Sequence, residues 1–434
     1  MTKRRSGMLA VWVMMAAALT FSANAETNWP QWRGPNFNGS SPATNLPDKV
    51  DQEHPLWSTP IPGHSNGTPI VYGDRIFVTA YQPQLVCYCL SKKDGKILWQ
   101  KEISDVSFIR QGKNDSATPS PVTDGQRVIF LFGTGDLIAF DMEGKQLWVR
   151  NIQKDHGPWS YQWLYGASPL LYNGKLYVQV LHRNVPAGQW RDLNAGEKPM
   201  DSYLLAVNPE TGKDLWSVVR PTEAKIESHE AYSTPIPWQA TSGMQIVIAG
   251  GDCVTGHDPE TGKELWRAGD WNPKRLPDRR LVASPVTWKD HVFVCPPKGV
   301  LMLAFGDGGK QFSDWKNDGL TSDAAVPLVY KENLYVLDGD KARFSCVNPA
   351  TGDKKWEGKL PGRPPFRASP TGADGKIYVM SEGGELLVLS ADEFKVLSRA
   401  PLGAGGGSRG SIALVDGMIV VRTGDRVWAF GGGK

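Results

Sequence analysis

The sequence is poor in cysteine, in clustered histidine and in long apolar runs, and each shortage excludes something. Five cysteines in 434 residues, Cys87, Cys89, Cys253, Cys295 and Cys346, are too few and too scattered for a disulfide framework, and their odd number leaves one unpaired. Most are expected as small buried apolar side chains; if a pair forms, it is Cys253 with Cys295. The seven histidines show neither HExxH nor a zinc-like spacing, so no metal site is expected. One apolar run stands out, Met8 to Phe21. Lys3, Arg4 and Arg5 precede it and Ala23-Asn24-Ala25 follows, which is the pattern of a cleaved secretory signal peptide. The run is shorter than the roughly 20 residues a membrane-spanning helix needs. Residues 1–25 are therefore expected to be removed, giving a periplasmic or secreted protein with no membrane span. That removal takes three basic residues and leaves 45 Lys plus Arg against 45 Asp plus Glu. Such a balance excludes a general nucleic-acid binder, which needs a basic footprint.

What is abundant is glycine, proline and tryptophan, 47, 32 and 17 residues, arranged in a repeat. A turn containing Gly, a polar residue and then Trp recurs as DGKILW to Trp99, EGKQLW to Trp148, ETGKDLW to Trp216, ETGKELW to Trp266 and ATGDKKW to Trp356, with GDGGKQFSDW to Trp315 as a stretched copy. Counting Trp57 as the first and Leu397 as the last, the spacings are 42, 49, 68, 50, 49, 41 and 41 residues. That is the period of propeller blades. A second phrase, Ser or Thr followed by Pro, precedes each: Thr68-Pro69, Thr118-Pro119, Ser168-Pro169, Thr234-Pro235, Ser284-Pro285 and Ser369-Pro370, with Val326-Pro327 and Ser411-Ile412 as looser copies. Period-2 runs such as GKLYVQV and GKIYVM between the phrases read as strands. The expectation is an all-β, eight-bladed β-propeller of four-stranded antiparallel blades over residues 54–434. HPLWSTPI at 54–61 would supply the outer strand that the last unit lacks, closing the ring without a free sheet edge. Residues 26–53, with NWPQWRGPNFNGSS at 28–41, fall outside the repeat and are expected to pack as a leader on the propeller.

The turn-and-Trp phrase, with lead-ins such as AVNPETGKDLW and GHDPETGKELW, resembles the tryptophan-docking repeat of the pyrroloquinoline-quinone-like (PQQ-like) propellers, over about residues 54–430. The resemblance implies that Trp57, Trp99, Trp148, Trp216, Trp266, Trp315 and Trp356 are structural. Each would pack between blades with its indole N–H on a carbonyl. Within the family the chain resembles the outer-membrane assembly scaffolds, of similar length, and more distantly the quinoprotein dehydrogenases. The scaffolds carry a lipidated cysteine directly after the signal peptide; Ala25-Glu26 stands there, so no lipid anchor is expected. The dehydrogenases use an acidic trio with Asn and calcium to polarise the quinone, an Asp base, and a vicinal disulfide over the quinone ring. This sequence has no adjacent cysteines, and the mature chain is short beside those enzymes.

Function is sought where the repeat is interrupted, because long loops in an economical repeat tend to carry it. Residues 151–165 and 181–201 carry His156, Trp159, Tyr161, Trp163, His182, Arg183 and Trp190; these form an interaction surface or else pack the loops down. The residues preceding the Ser/Thr-Pro phrases should ring the mouth of the central channel: His64, Asn66, Asp115, Tyr165, Glu230, Tyr232, Arg280, Asp323, Arg367 and Arg409. Arg367 and Arg409 in neighbouring blades could jointly hold a carboxylate or phosphate, or form internal ion pairs on a solvated lip. Two functions follow. One is an exported, monomeric binding or scaffold protein for a protein, peptide or glycan, with no cofactor and no established catalytic residues. The alternative is a dehydrogenase of alcohols or sugars that depends on PQQ and calcium.

Overall fold

The computed structural model describes residues 27–103, 110–111, 114–183, 201–403 and 409–432. Residues 1–25, expected to be a signal peptide, and Trp190 lie outside these residues. Eight antiparallel sheets form the ring of an eight-bladed β-propeller. Blade 1 holds strands Ile70–Tyr72, Arg75–Gln82, Gln84–Ser91 and Ile97–Ile103. Blades 2, 3, 4, 6 and 7 begin at strands Val122–Thr123, Leu170–Tyr172, Ile236–Ala240, Leu328–Tyr330 and Thr371–Ala373 and repeat the same order. Blade 5, from Val286–Trp288, has three ladder-paired strands. Its stretched GDGGKQFSDW copy leaves only a Phe305–Gln311 bridge where the outer strand would run. Blade 8 consists of Ala413–Val415, Met418–Thr423 and Arg426–Gly431. The strand Trp57–Pro60 pairs with its edge, Trp57 opposite Ala429 and Ser58 opposite Trp428, and so closes the ring.

Middle strands are buried on both faces, as Arg127–Leu131 and Tyr203–Val207 are, because each blade is sandwiched between two others. Outer strands alternate exposed and half-buried residues, as in Asp214–Val219. The repeated tryptophan sits on the outer strand opposite a small residue: Cys89 faces Trp99, Ala139 Trp148, Ala206 Trp216, Gly256 Trp266 and Cys346 Trp356. Cys89 and Cys346 are thus small fillers at the Ala/Gly position. Each ring then reaches into the next blade. The indole of Trp57 donates to Lys92 O (3.0 Å), Trp99 to Met142 O (3.0 Å), Trp148 to Pro209 O (2.9 Å) and Trp315 to Pro349 O (2.9 Å). Two depart from this pattern: Trp266 donates to Gln245 Oε1 of its own blade, and the buried Trp216 Nε1 has no hydrogen-bond partner among the described residues.

Two expectations are corrected. The first strand of blade 2 is introduced by Ser120-Pro121, not Thr118-Pro119: ATPSPV contains the phrase twice, and only the second copy precedes strand Val122–Thr123. Cys253 and Cys295 are free thiols. Cys295 is buried in the core of blade 5, whereas Cys253 accepts from Arg220 Nη2 at 3.0 Å and Arg267 Nη1 at 3.3 Å.

Residues 27–41 run along the innermost strands. Trp29 exchanges both backbone hydrogen bonds with Val71, Thr123 N–H donates to Pro30 O, Val329 N–H to Asn38 O and Gly372 N–H to Gly39 O. The Gln31 side chain bonds both backbone groups of Leu171. Thr27 bonds the Asp416 carboxylate and Ser41 Oγ donates to Leu414 O in blade 8. The segment therefore serves six blades, and Trp29 and Arg33 are almost fully buried. Among the described residues no helix is long and apolar enough to cross a membrane.

Candidate functional site

A cavity of about 550 Å³ lies in the central channel, within the size range of small-molecule sites. One end opens on the face carrying the connections into the inner strands. At the other, Trp32 of the N-terminal segment lines the floor. Six of the ten expected mouth residues line it: Asn66, Tyr232, Arg280, Asp323, Arg367 and Arg409. The other four do not. His64 pairs through its backbone with Tyr81, Asp115 caps Ala117 N–H from a buried position, Tyr165 is buried with its hydroxyl on Gln179 O, and Glu230 is buried behind Tyr232. The side chains of Asp115, Tyr165 and Glu230 are buried in the packing beside the channel rather than lining it.

Of the expected loop aromatics among the described residues, Trp163 lines the cavity and Trp159 and Tyr161 do not. Trp159 and Tyr161 are 2% and 5% exposed. Trp159 packs on Tyr165 with centroids 4.3 Å apart and donates to Tyr203 Oη, and Tyr161 packs edge-on to Tyr165. These rings belong to the blade 2–3 core. His156 stacks on Tyr203 and bonds Asp214 on the outer rim. The neutral ring of His182 is fixed between Ser160 N–H and Asp201 O, and burial pulls its pKa down to about 4. Arg183 lies buried against Glu230, which also takes the Tyr232 hydroxyl and Gln162 N–H. Desolvation nonetheless raises the Glu230 carboxyl to about 7.

The cations of the mouth are all engaged. Glu382 lies between Arg409, at 2.8 Å, and Arg367, at 3.9 Å, and Arg367 also meets Asp323 at 3.2 Å and Asp340 at 2.5 Å. The carboxylate that an arginine pair would capture is therefore already supplied by the chain. Across the mouth Glu227 accepts from both Trp163 Nε1 and Arg280 Nη1 at 3.0 Å, holding the indole at the cavity wall.

Sequence reading missed Trp32, Glu382, Thr118 and, deeper in the channel, a ring of hydroxyls. The Ser/Thr of each inner-strand phrase accepts a backbone N–H from the neighbouring blade: Thr68 N–H donates to Ser120 Oγ (2.9 Å), Ser120 to Ser168 (2.9 Å), Ser168 to Thr234 (3.0 Å), Thr234 to Ser284 (2.7 Å), Val326 to Ser369 (3.0 Å) and Ser411 to Thr68 (2.9 Å). The recurrence of Ser or Thr before Pro was a visible signal of this ring, since only a short hydroxyl can bridge adjacent blades there.

The family described as outer membrane protein assembly factor BamB matches residues 50–159, 159–358 and 345–431. A polyvinylalcohol dehydrogenase of Pseudomonas sp. is 27% identical over 164 residues, 37% of this chain but only 24% of that protein. Among solved structures, BamB from Moraxella catarrhalis superposes with a TM-score of 0.61 at 16% identity, covering 87% of this chain and 99% of that one. Quinohemoprotein alcohol dehydrogenase from Comamonas testosteroni gives 0.66 at 14% identity, covering 94% and 81%. At these identities the structural likeness concerns the fold.

Proposed function

The chain belongs to the outer membrane protein assembly factor BamB family of PQQ-like repeat propellers, and from that premise we propose that it is a binding propeller whose blind central channel holds a glycan. The observation that carries this reading is the channel itself: about 550 Å³, floored by Trp32 and walled by Trp163 and Tyr232, with Asn66, Asn114 and the Arg–carboxylate pairs around them. Sugar rings present apolar C–H faces and polar edges. Aromatic faces beside fixed amide, guanidinium and carboxylate groups match both. The cavity accommodates one or two sugar rings rather than a folded partner. Partial similarity to a polyvinylalcohol dehydrogenase, named for a polyhydroxylated chain, supports a hydroxyl-rich ligand.

That same similarity favours the second reading, a PQQ-dependent dehydrogenase, but the residues present do not fit PQQ with calcium. No three His, Cys, Asp or Glu side chains among the described residues are grouped to hold a metal. The channel carboxylates Asp323 and Glu382 are committed to Arg367 and Arg409. No catalytic step is derived through that group.

Titration of the purified protein with a panel of oligosaccharides, followed by tryptophan fluorescence and calorimetry, tests the reading. A saturable ligand whose affinity falls at least tenfold in Trp163→Ala supports it. Binding unchanged in that variant, or no binding across the panel, refutes it.

A further inference from the structure

The hydroxyl ring has an unused half. Ser120, Ser168, Thr234, Ser284 and Ser369 all line the cavity and are between 1% and 5% exposed. Each oxygen accepts an amide hydrogen from the neighbouring blade. A hydroxyl that accepts in this way still has one hydrogen to donate. Among the described residues none of these five donates to a protein acceptor, so each keeps a hydrogen for a ligand in the cavity they line.

Below them lies a charge with no counter-charge. Arg33 is 1% exposed and makes no ion pair among the described residues. Its guanidinium bonds only carbonyls: Pro370 O at 2.9 Å, Pro327 O at 2.7 Å and Asn38 O at 2.9 Å, and its Nε has no partner. Pro370 and Pro327 directly follow Ser369 and Val326, so the cation sits beside the ring where Val326 breaks it. Buried charges are stable when compensated. The mouth arginines are compensated by carboxylates and Arg33 is not; its guanidinium lies behind the carbonyls that bind it rather than in the cavity lining, and adds positive potential from there.

The geometry points to an oxyanion-binding throat in which the inward O–H groups of Ser120, Ser168, Thr234, Ser284 and Ser369, above the Arg33 charge, take a carboxylate or another small oxyanion. Resting on the glycan reading of the channel, this makes the ligand an acidic sugar. Its carboxylate would enter the throat and its ring would lie against the aromatic wall. A free inorganic oxyanion has the same chemistry and would occupy the same place.

The test is titration of the whole protein at constant ionic strength with sulfate, glucuronate and glucose, read by calorimetry and by the shift in Tm. Sulfate and glucuronate should bind saturably and raise Tm, since a ligand that binds only the folded state stabilises it. Ser284→Val, which copies the valine that blade 6 already carries at this position, should weaken both by at least tenfold while melting cooperatively. Ser284→Thr, which copies Thr234, should retain binding and so guards against a merely misfolded variant. Sulfate binding without sugar binding would uphold the throat for a free oxyanion and count against the glycan reading. Glucose and glucuronate binding equally, with sulfate inert, would overturn the throat while leaving the glycan reading intact. Equal affinities in wild type and Ser284→Val would overturn it as well.

Discussion

Closure of the ring depends on Trp57 covering the turn of blade 1, and one glycine reports on that contact. Gly95 has φ +70°, and a Cβ added there would lie 2.4 Å from Trp57 Cε3 and 2.5 Å from Thr59 Oγ1. Ordinary carbon contacts are about 3.5–4.0 Å. Gly73, in the same blade, has φ +56° with nothing within 4 Å of the same added atom. Gly73→Ala therefore suffers the left-handed backbone penalty alone, about 1–2 kcal/mol, partly offset by a less flexible unfolded chain. Gly95→Ala suffers that penalty and an overpacking term of about 1–3 kcal/mol. The expected difference between the two is that second term. Introducing Gly95→Ala into a Trp57→Leu background should remove the part due to the indole and leave the Thr59 contact, giving a coupling of about 0.5–3 kcal/mol between residues in contact. Urea unfolding followed by far-UV circular dichroism measures all four proteins. Costs for Gly95→Ala and Gly73→Ala that agree within about 0.5 kcal/mol would refute the account of how the outer tryptophans lock neighbouring blades.

Other outcomes are expected. Trp159→Ala, which empties a buried site between blades 2 and 3, should cost about 3–5 kcal/mol in the same unfolding experiment, whereas Trp163→Ala should act on ligand affinity. Burial holds His182 and His229 near pKa 4, while an unfolded imidazole takes its proton below about 6.5, so each loses stability as pH falls from 6.5 to 4. Glu230, raised to about 7, acts in the opposite sense and loses stability as pH rises from its unfolded value near 4.5 to 7. Two histidines against one carboxylate leave a net loss toward acid of about 1.4 kcal/mol per pH unit between 6.5 and 4.5, and urea midpoints should show His229→Gln flattening it. Cys253 alone is not buried among the five cysteines; a thiol reagent should titrate one equivalent in the native protein and five after denaturation.

The blades were legible because two short phrases recur: the turn glycine with its tryptophan marks most of the places where one blade meets the next. Leu397 shows how little the phrase itself is required, since blade 7 forms four strands without the tryptophan. The site was legible only in part. Arg280, Asp323, Arg367 and Arg409 could be placed at the mouth from the repeat, but the partners Glu227, Asp340 and Glu382 could not. Glu382 and Glu227 come from other connections, and adjacency between connections is a property of the closed ring. Trp159, Tyr161 and Trp163 alternate along one loop and look alike in sequence; burial of the first two and exposure of the third follow from a core that only the packed blades create. ATPSPV offered two equally good phrases, and the choice was made by which serine reaches Thr68 N–H of the neighbouring blade. Trp32 was out of reach, since nothing in a non-repeating leader announces that it will floor a channel.

The N-terminal segment also sets a timetable. Residues 27–60 are synthesised first, yet their hydrogen-bond partners include Val329, Gly372, Asp416 and Ala429, among the last residues to appear. Any nascent chain short of blade 8 therefore carries Trp29, Trp32 and Trp57 without their final neighbours. Blades can form one after another, but the channel acquires Trp32 and the ring its last strand only when the N-terminal segment meets blade 8.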